Sequence, residues 1–181
     1  MTWETIAGLS SAVIALCALG LTVWQAKISR QHNRLSVTPH LTTWSHRDSA
    51  NNRYSVELLN NGIGPALIES FHIQVAGQPI AGEGLESIEK ALKILFPQYQ
   101  YVSAQSYVAK GYMMAEKEVR NLVTITFQGE KMPSPEEVEN EIKRTRLLIT
   151  YKSIYKDDFI LDTSALMANP ALQGSPASGR P

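Results

Sequence analysis

A single cysteine, Cys17, stands in a chain of 181 residues, so no internal disulfide can form. It lies in the most apolar stretch, where a thiol is a small inert hydrophobe, and the count is compatible with a reducing compartment. Neither sign of charge is in excess. Lys plus Arg number 17 and Asp plus Glu number 17, which removes the bulk electrostatic case for nucleic acid, because phosphate binding needs a basic patch or stripe. Also missing are a Gly-Lys-Ser/Thr phosphate loop and a Gly-x-Ser-x-Gly nucleophile turn. His32, His40 and His46 fall close together, but their spacing matches no zinc pattern and no cysteine follows them. His72 alternates onto the polar face of its segment. Asp157 and Asp158 are adjacent, so in a strand they point to opposite faces, and Lys156 beside them marks an ordinary turn. The acidic run Glu136, Glu137, Glu139 and Glu141 reads as a solvated helix face. The expectation is a protein without catalytic residues, cofactor or metal.

What the chain does have is a long run without charge, "IAGLSSAVIALCALGLTVW", Ile6 to Trp24. At helical rise it spans about 28 Å, close to the hydrocarbon thickness of a bilayer. Ser10, Ser11 and Thr22 can bond back to their own helix. Trp3 and Trp24 flank the run, where indole rings favour the membrane interface. A cleaved signal peptide would begin with a basic segment, and here the only charged side chain before the run is Glu4. The run therefore reads as a retained transmembrane helix over 6–24. Lys27, Arg30 and Arg34 follow it, and no Lys or Arg precedes it. The positive-inside rule then puts residues 1–5 outside and the bulk of the chain in the cytoplasm. The same three residues are candidates for contact with anionic headgroups. Ala7, Ser11, Ala15, Ala18 and Thr22 form a stripe of small side chains, the kind of face that allows a homodimer through the membrane helix.

Beyond a polar stalk over 25–34, the pattern turns to strands. "LSVTPHLTTW" reads as an edge strand, since Pro39 excludes helix. "SHRDSANNR" has turn composition, and "RYSVELL" alternates Tyr54, Val56 and Leu58 against Ser55 and Glu57. The stretch "LNNGIGPALI" is rich in glycine, but another strand follows it rather than a helix, so it cannot cradle a phosphate at a helix start. Asn61-Gly62 is a hairpin turn signal. In the next strand Phe71, Ile73 and Val75 alternate with Ser70, His72 and Gln74. "LESIEKALKILFP" places Leu85, Ile88, Leu92 and Leu95 at helical spacing and stops before Pro97. "YVSAQSYVA" and "VRNLVTITFQ" read as strands. "SPEEVENEIKRT" is a helix opened by a Ser134–Glu137 capping box. "RLLITYKSIY" and "DFILDT" form a last strand pair, and 164–181 reads as a flexible tail. Short strands with one or two helical insertions suggest an immunoglobulin-like antiparallel β-sandwich over 35–163, mainly β in class.

The segment "YSVELLNNGIGPALIESFHIQVAGQPI" resembles the opening hairpin of bacterial immunoglobulin-like domains, including the CARDB-type adhesion modules. The whole layout resembles a group of small uncharacterised bacterial single-pass membrane proteins. Arg34-Leu35-Ser36-Val37, Pro39 and the stretch Tyr151 to Tyr155 stand in the places of that group's recurring features. The resemblance implies a fold and no activity. Tyr99, Tyr101, Tyr107, Tyr112 and Met113 gather in one segment, and tyrosine and methionine are enriched at interfaces; a sandwich edge can also accept a partner strand. The expected role is a non-enzymatic protein-binding module or accessory subunit at the cytoplasmic face of the bacterial inner membrane. Its partners would be the bilayer and another membrane protein. A ligand-sensing effector in stress or phage-defence signalling is the first competitor, which an apolar pocket would favour, and a membrane-tethered hydrolase is the second.

Overall fold

Helix α1 runs unbroken from Trp3 to Leu35 in the computed structural model, which describes residues 2–164. The apolar run and the polar stalk are thus one helix of 33 residues, about 50 Å long. The hydroxyls of Ser10, Ser11 and Thr22 donate to the carbonyls of Ile6, Ala7 and Ala18 at 2.8–2.9 Å, so the apolar surface carries no unpartnered hydroxyl donor. No residue of α1 is buried, and the helix is long and apolar enough to cross a membrane. It ends where the Ser36 N–H turns back to the His32 carbonyl at 2.9 Å and the Thr38 hydroxyl bonds the carbonyls of Arg34 and Leu35. Pro39 lacks the donor to continue it. The chain divides into two compact units between Thr38 and Pro39.

The second unit is mainly β, in two antiparallel sheets. Strands β1 (Leu41–Asp48), β2 (Arg53–Asn60), β7 (Val119–Gln128) and β5 (Gln100–Gln105) form the first, in the order β1-β2-β7-β5. The second has the order β4-β3-β8-β9, from β4 (Gln78–Pro79), β3 (Ala66–Val75), β8 (Thr145–Lys152) and β9 (Asp158–Asp162), with β6 (Met113–Met114) also beside β3. Between the sheets lie Leu58, Ile68, Phe71, Phe127 and Ile149, each nearly or fully buried. The Leu41 N–H donates to the buried Tyr151 hydroxyl at 3.2 Å, which ties β1 of one sheet to β8 of the other. A bulge at Glu69 lets Ile68 and Phe71 both face inward although they are an odd number of residues apart.

Both expected helices form. Helix α2 (Leu85–Leu95) buries Ile88, Ala91 and Leu92, and its Lys90–Glu86 pair closes at 2.6 Å. Helix α3 (Pro135–Lys143) opens with the capping box: Glu137 N–H donates to Ser134 Oγ, and Ser134 N–H to Glu137 Oε2.

Three sequence expectations are corrected. The first strand starts at Leu41 rather than Leu35, because the hydrogen-bond ladder of α1 holds Leu35 in the helix. It then continues through Ser45–Asp48, and the turn shrinks to a 3-10 turn at Ser49–Asn51 closed by left-handed Asn52 at φ 49°. The loop after β2 is no hairpin: β2 and β3 belong to different sheets, and neither Asn61 nor Gly62 has positive φ. A buried carboxamide sets its path instead. Asn60 Oδ1 accepts from the N–H groups of His40 and Gly62 at 3.1 Å, and Nδ2 donates to the carbonyls of Gly64 and Ala115 at 2.8 and 3.0 Å. The tail assigned to 164–181 lies outside the described residues, except for Ser164.

The true left-handed hairpin is Ala76-Gly77, φ 51° and 80°, joining β3 to β4 with Val75 opposite Gln78. Alanine is strained there, because its Cβ crowds the carbonyl oxygen in that conformation. Ala76→Asn, which suits the first position of this turn, is expected to raise stability by about 0.5–1 kcal/mol. The urea midpoint of the full chain should move up; a fall would refute the strain.

On the outer side of β8 and β9, Arg146 grips Asp162 with Nε and Nη2 at 2.9 and 2.5 Å. That guanidinium, and Ser164, hold the Asp162 carboxyl well below its usual range. A depressed carboxylate stabilises the fold above its unfolded pKa near 3.8 and loses that contribution as pH falls further. In Asp162→Asn the stability of the full chain should therefore decline less steeply between pH 5 and pH 2. An unchanged acid limb would show the pair to be neutral.

Candidate functional site

The five residues expected at a membrane interface all lie exposed along α1. Trp3 and Trp24 are 82% and 61% exposed, and 21 helical steps separate them by about 32 Å, which matches the hydrocarbon thickness. Because the helix continues through Leu35, Lys27, Arg30 and Arg34 fall at i, i+3 and i+7 on one helix face. That stripe makes a single basic edge rather than a scatter of charges.

The expected tyrosine face divides into two kinds of residue. Tyr99 and Tyr101 set their rings edge-on to Phe127 at 6.0 and 6.2 Å, joined there by Tyr54 and Phe96 at 5.9 and 5.1 Å. The Tyr99 hydroxyl also donates to Glu137 Oε1 at 3.3 Å, which pins the start of α3. Tyr112 donates to Glu118 Oε1 at 2.5 Å, and Arg120 Nε donates to both Tyr112 Oη and that carboxylate. Burial, then the Glu118 carboxylate, pushes the Tyr112 phenol up. Burial also works against the Glu118 charge, but hydrogen bonds from Tyr112, the Ala115 N–H and Arg120 outweigh it and hold the carboxyl below its ordinary value. The group is charge-balanced and the Tyr112 hydroxyl, Arg120 Nε and Glu118 carboxylate bond one another, so it clamps the 112–118 turn. These three tyrosines serve the fold. Tyr107 and Met113 are 60% and 57% exposed and remain available to a partner.

Met113 belongs to a patch that the sequence does not announce. It pairs with Leu67, which pairs with Lys152, and the β8–β9 turn just beyond carries exposed Ile154 and Tyr155. Ile63, exposed in the β2–β3 connection, lies at the same end of the sheets. Exposed apolar residues of β6 and of the β2–β3 and β8–β9 connections thus lie at one end of the sheets, and the pairing of β3 with β6 and β8 puts them there.

The four histidines are all exposed, and among the described residues no three His, Cys, Asp or Glu side chains converge as a metal site.

Between the sheets lies a cavity of about 150 Å³. Ile88 and Leu92 of helix α2, with Phe96 just after it, close one side, while Phe71, Ile125 and Leu147 supply the walls. Its hydroxyl-bearing lining comes from Thr43 and Ser45 of β1 and Tyr54 of β2, with Thr145 and Thr163. No charged side chain lines it. Thr43 and Ser45 occupy inward positions of β1, and exposed Trp44 occupies the outward one. Two small hydroxyl residues inside and a tryptophan outside invert the usual alternation, and this is the one sequence signal that could have pointed to unfilled volume. No protein-family model matches the chain, and no curated protein matches it either, which leaves this geometry as the ground for its function.

Proposed function

We propose that the chain is a single-pass anchor carrying a non-enzymatic binding module, held at the cytoplasmic face of a bacterial inner membrane. The observation that carries the reading is α1, whose uncharged stretch 6–24 is exposed over its whole apolar surface. Such a surface requires lipid or another apolar helix, because exposed hydrocarbon is unfavourable in water. The basic edge Lys27, Arg30 and Arg34 favours the cytoplasmic side for the sheets that come after it in the chain, and the stripe from Ala7 to Thr22 suits a helix partner.

The module belongs by this reading to the immunoglobulin-like sandwiches. The orders β1-β2-β7-β5 and β4-β3-β8-β9 correspond to A-B-E-D and C′-C-F-G of that class, with α2 and α3 inserted at two crossovers. Anchoring confines the module to a thin layer and raises its effective concentration toward membrane proteins. The apolar tips Ile63, Met113, Ile154 and Tyr155 are the contact surface.

The test combines topology with contact. A reporter active only in the cytoplasm, fused after Pro181, should give signal; silence refutes the orientation. A photoreactive residue at Met113 or Ile154 should yield a discrete cross-linked adduct in cells, whereas one at exposed Val102 on β5 should not. Equal adducts from all three positions, or none from any, refute the patch.

A further inference from the structure

We infer that the cavity between the sheets is a binding site for a small uncharged amphiphile, with an apolar body the size of one ring and a hydrogen-bonding end. Protein interiors seldom leave voids larger than a water molecule. An apolar cavity of about 150 Å³ is large enough for a benzene-sized guest, and this one has that volume, about 150 Å³. Its body is carbon-lined, with the buried side chains Ile88, Leu92 and Phe96 sealing the α2 side. The guest must be neutral, because no Lys, Arg, Asp or Glu faces the space to balance a charge.

Its polar end is set by the hydroxyls. Thr163 Oγ1 already accepts from the Leu147 N–H at 2.9 Å, and Thr145 Oγ1 donates to the Glu141 carbonyl at 3.3 Å. The hydroxyls of Thr43 and Ser45 bond no protein group among the described residues. Ser45 is exposed and Thr43 half-buried, so this side meets solvent and gives the guest its way in. A ligand entering between β1 and the β8–β9 side would bury its ring against Phe71 and Ile125 and leave its hydroxyl or amide at Thr43 and Ser45. The site lies wholly within the sandwich and does not depend on α1 crossing a membrane.

The test uses the full chain in lipid nanodiscs, labelled at isoleucine methyl groups, with benzyl alcohol and toluene as probes. Benzyl alcohol should shift Ile73, Ile125 and Ile142 saturably and leave Ile68 and Ile149 in place. In Ala91→Met, which fills the cavity from α2, affinity should fall at least tenfold. In the double variant Thr43→Val, Ser45→Ala, benzyl alcohol should lose about fivefold of affinity, the worth of one hydrogen bond, while toluene is unchanged. If Ala91→Met disturbs the Ile68 and Ile149 signals, its fold has changed, and the double variant alone decides. Non-saturable shifts in the native chain overturn the site. Equal loss of both probes, or of neither, in the double variant overturns the amphiphile.

Discussion

Asn60→Ala should cost the domain about 3–4 kcal/mol, near the upper end for a single substitution. Asn60 is 1% exposed, and its carboxamide serves five backbone groups, the N–H groups of His40 and Gly62 and the carbonyls of Gly64, Met114 and Ala115. Alanine would leave all five without it, in a space too closed for water to replace every bond. An unmet buried group costs about 1–3 kcal/mol, though some relaxation will spare part of the sum. Asn60→Asp makes a sharper test. The acceptor oxygen survives, but a carboxylate would then face those carbonyls, so its folded pKa must lie above the ordinary range. A raised folded pKa means stability that is present at low pH and lost as pH rises. The Asp variant should therefore be most impaired at neutral pH and partly recover toward pH 4, where the protonated carboxyl can donate. Urea unfolding of the full chain, followed by far-ultraviolet circular dichroism, reads both. A loss below 1 kcal/mol for alanine would show that the loops hold themselves.

Arginine at both Leu16 and Leu19 should move the chain out of the membrane. Each arginine near the centre of a spanning helix costs about 2.5–3.5 kcal/mol, and each leucine replaced gives up a few tenths more. The pair thus changes insertion by roughly 6–8 kcal/mol, enough to outweigh the hydrophobic gain of a single spanning helix. The native chain should stay in the pellet after alkaline carbonate extraction and the double variant should not. The mass of the native chain matters equally. A product shortened by roughly 15–30 residues would assign α1 to a cleaved leader, and retention of the variant in the pellet would refute spanning altogether.

Much of the architecture was legible because its causes are local. The capping box at Ser134 and Glu137, the helical spacing of Ile88 and Leu92, and the alternation of Phe71, Ile73 and Val75 each concern contacts within a few residues, and each was realised as expected. The strand boundary at Leu35 and the turn at Asn61-Gly62 went astray for a common reason. In both, a longer-range demand won: the unbroken ladder of α1 in one case, and the crossing from one sheet to the other in the second. The turn at Ala76-Gly77 is legible in the stretch "AGQP", but its left-handed geometry is not, because alanine there runs against its own backbone preference and is held by the register of its neighbours.

The sequence by itself determined that a charge-free run long enough for a bilayer is followed by β structure, since hydrophobicity and periodicity are properties of the chain read in order. Tertiary structure alone decided which tyrosines are spent on Phe127 and on Glu118, which loop tips share an end, and that two inward hydroxyls on β1 leave a void. Those outcomes depend on which residues the strand pairing makes neighbours, and a residue's local preference does not set that.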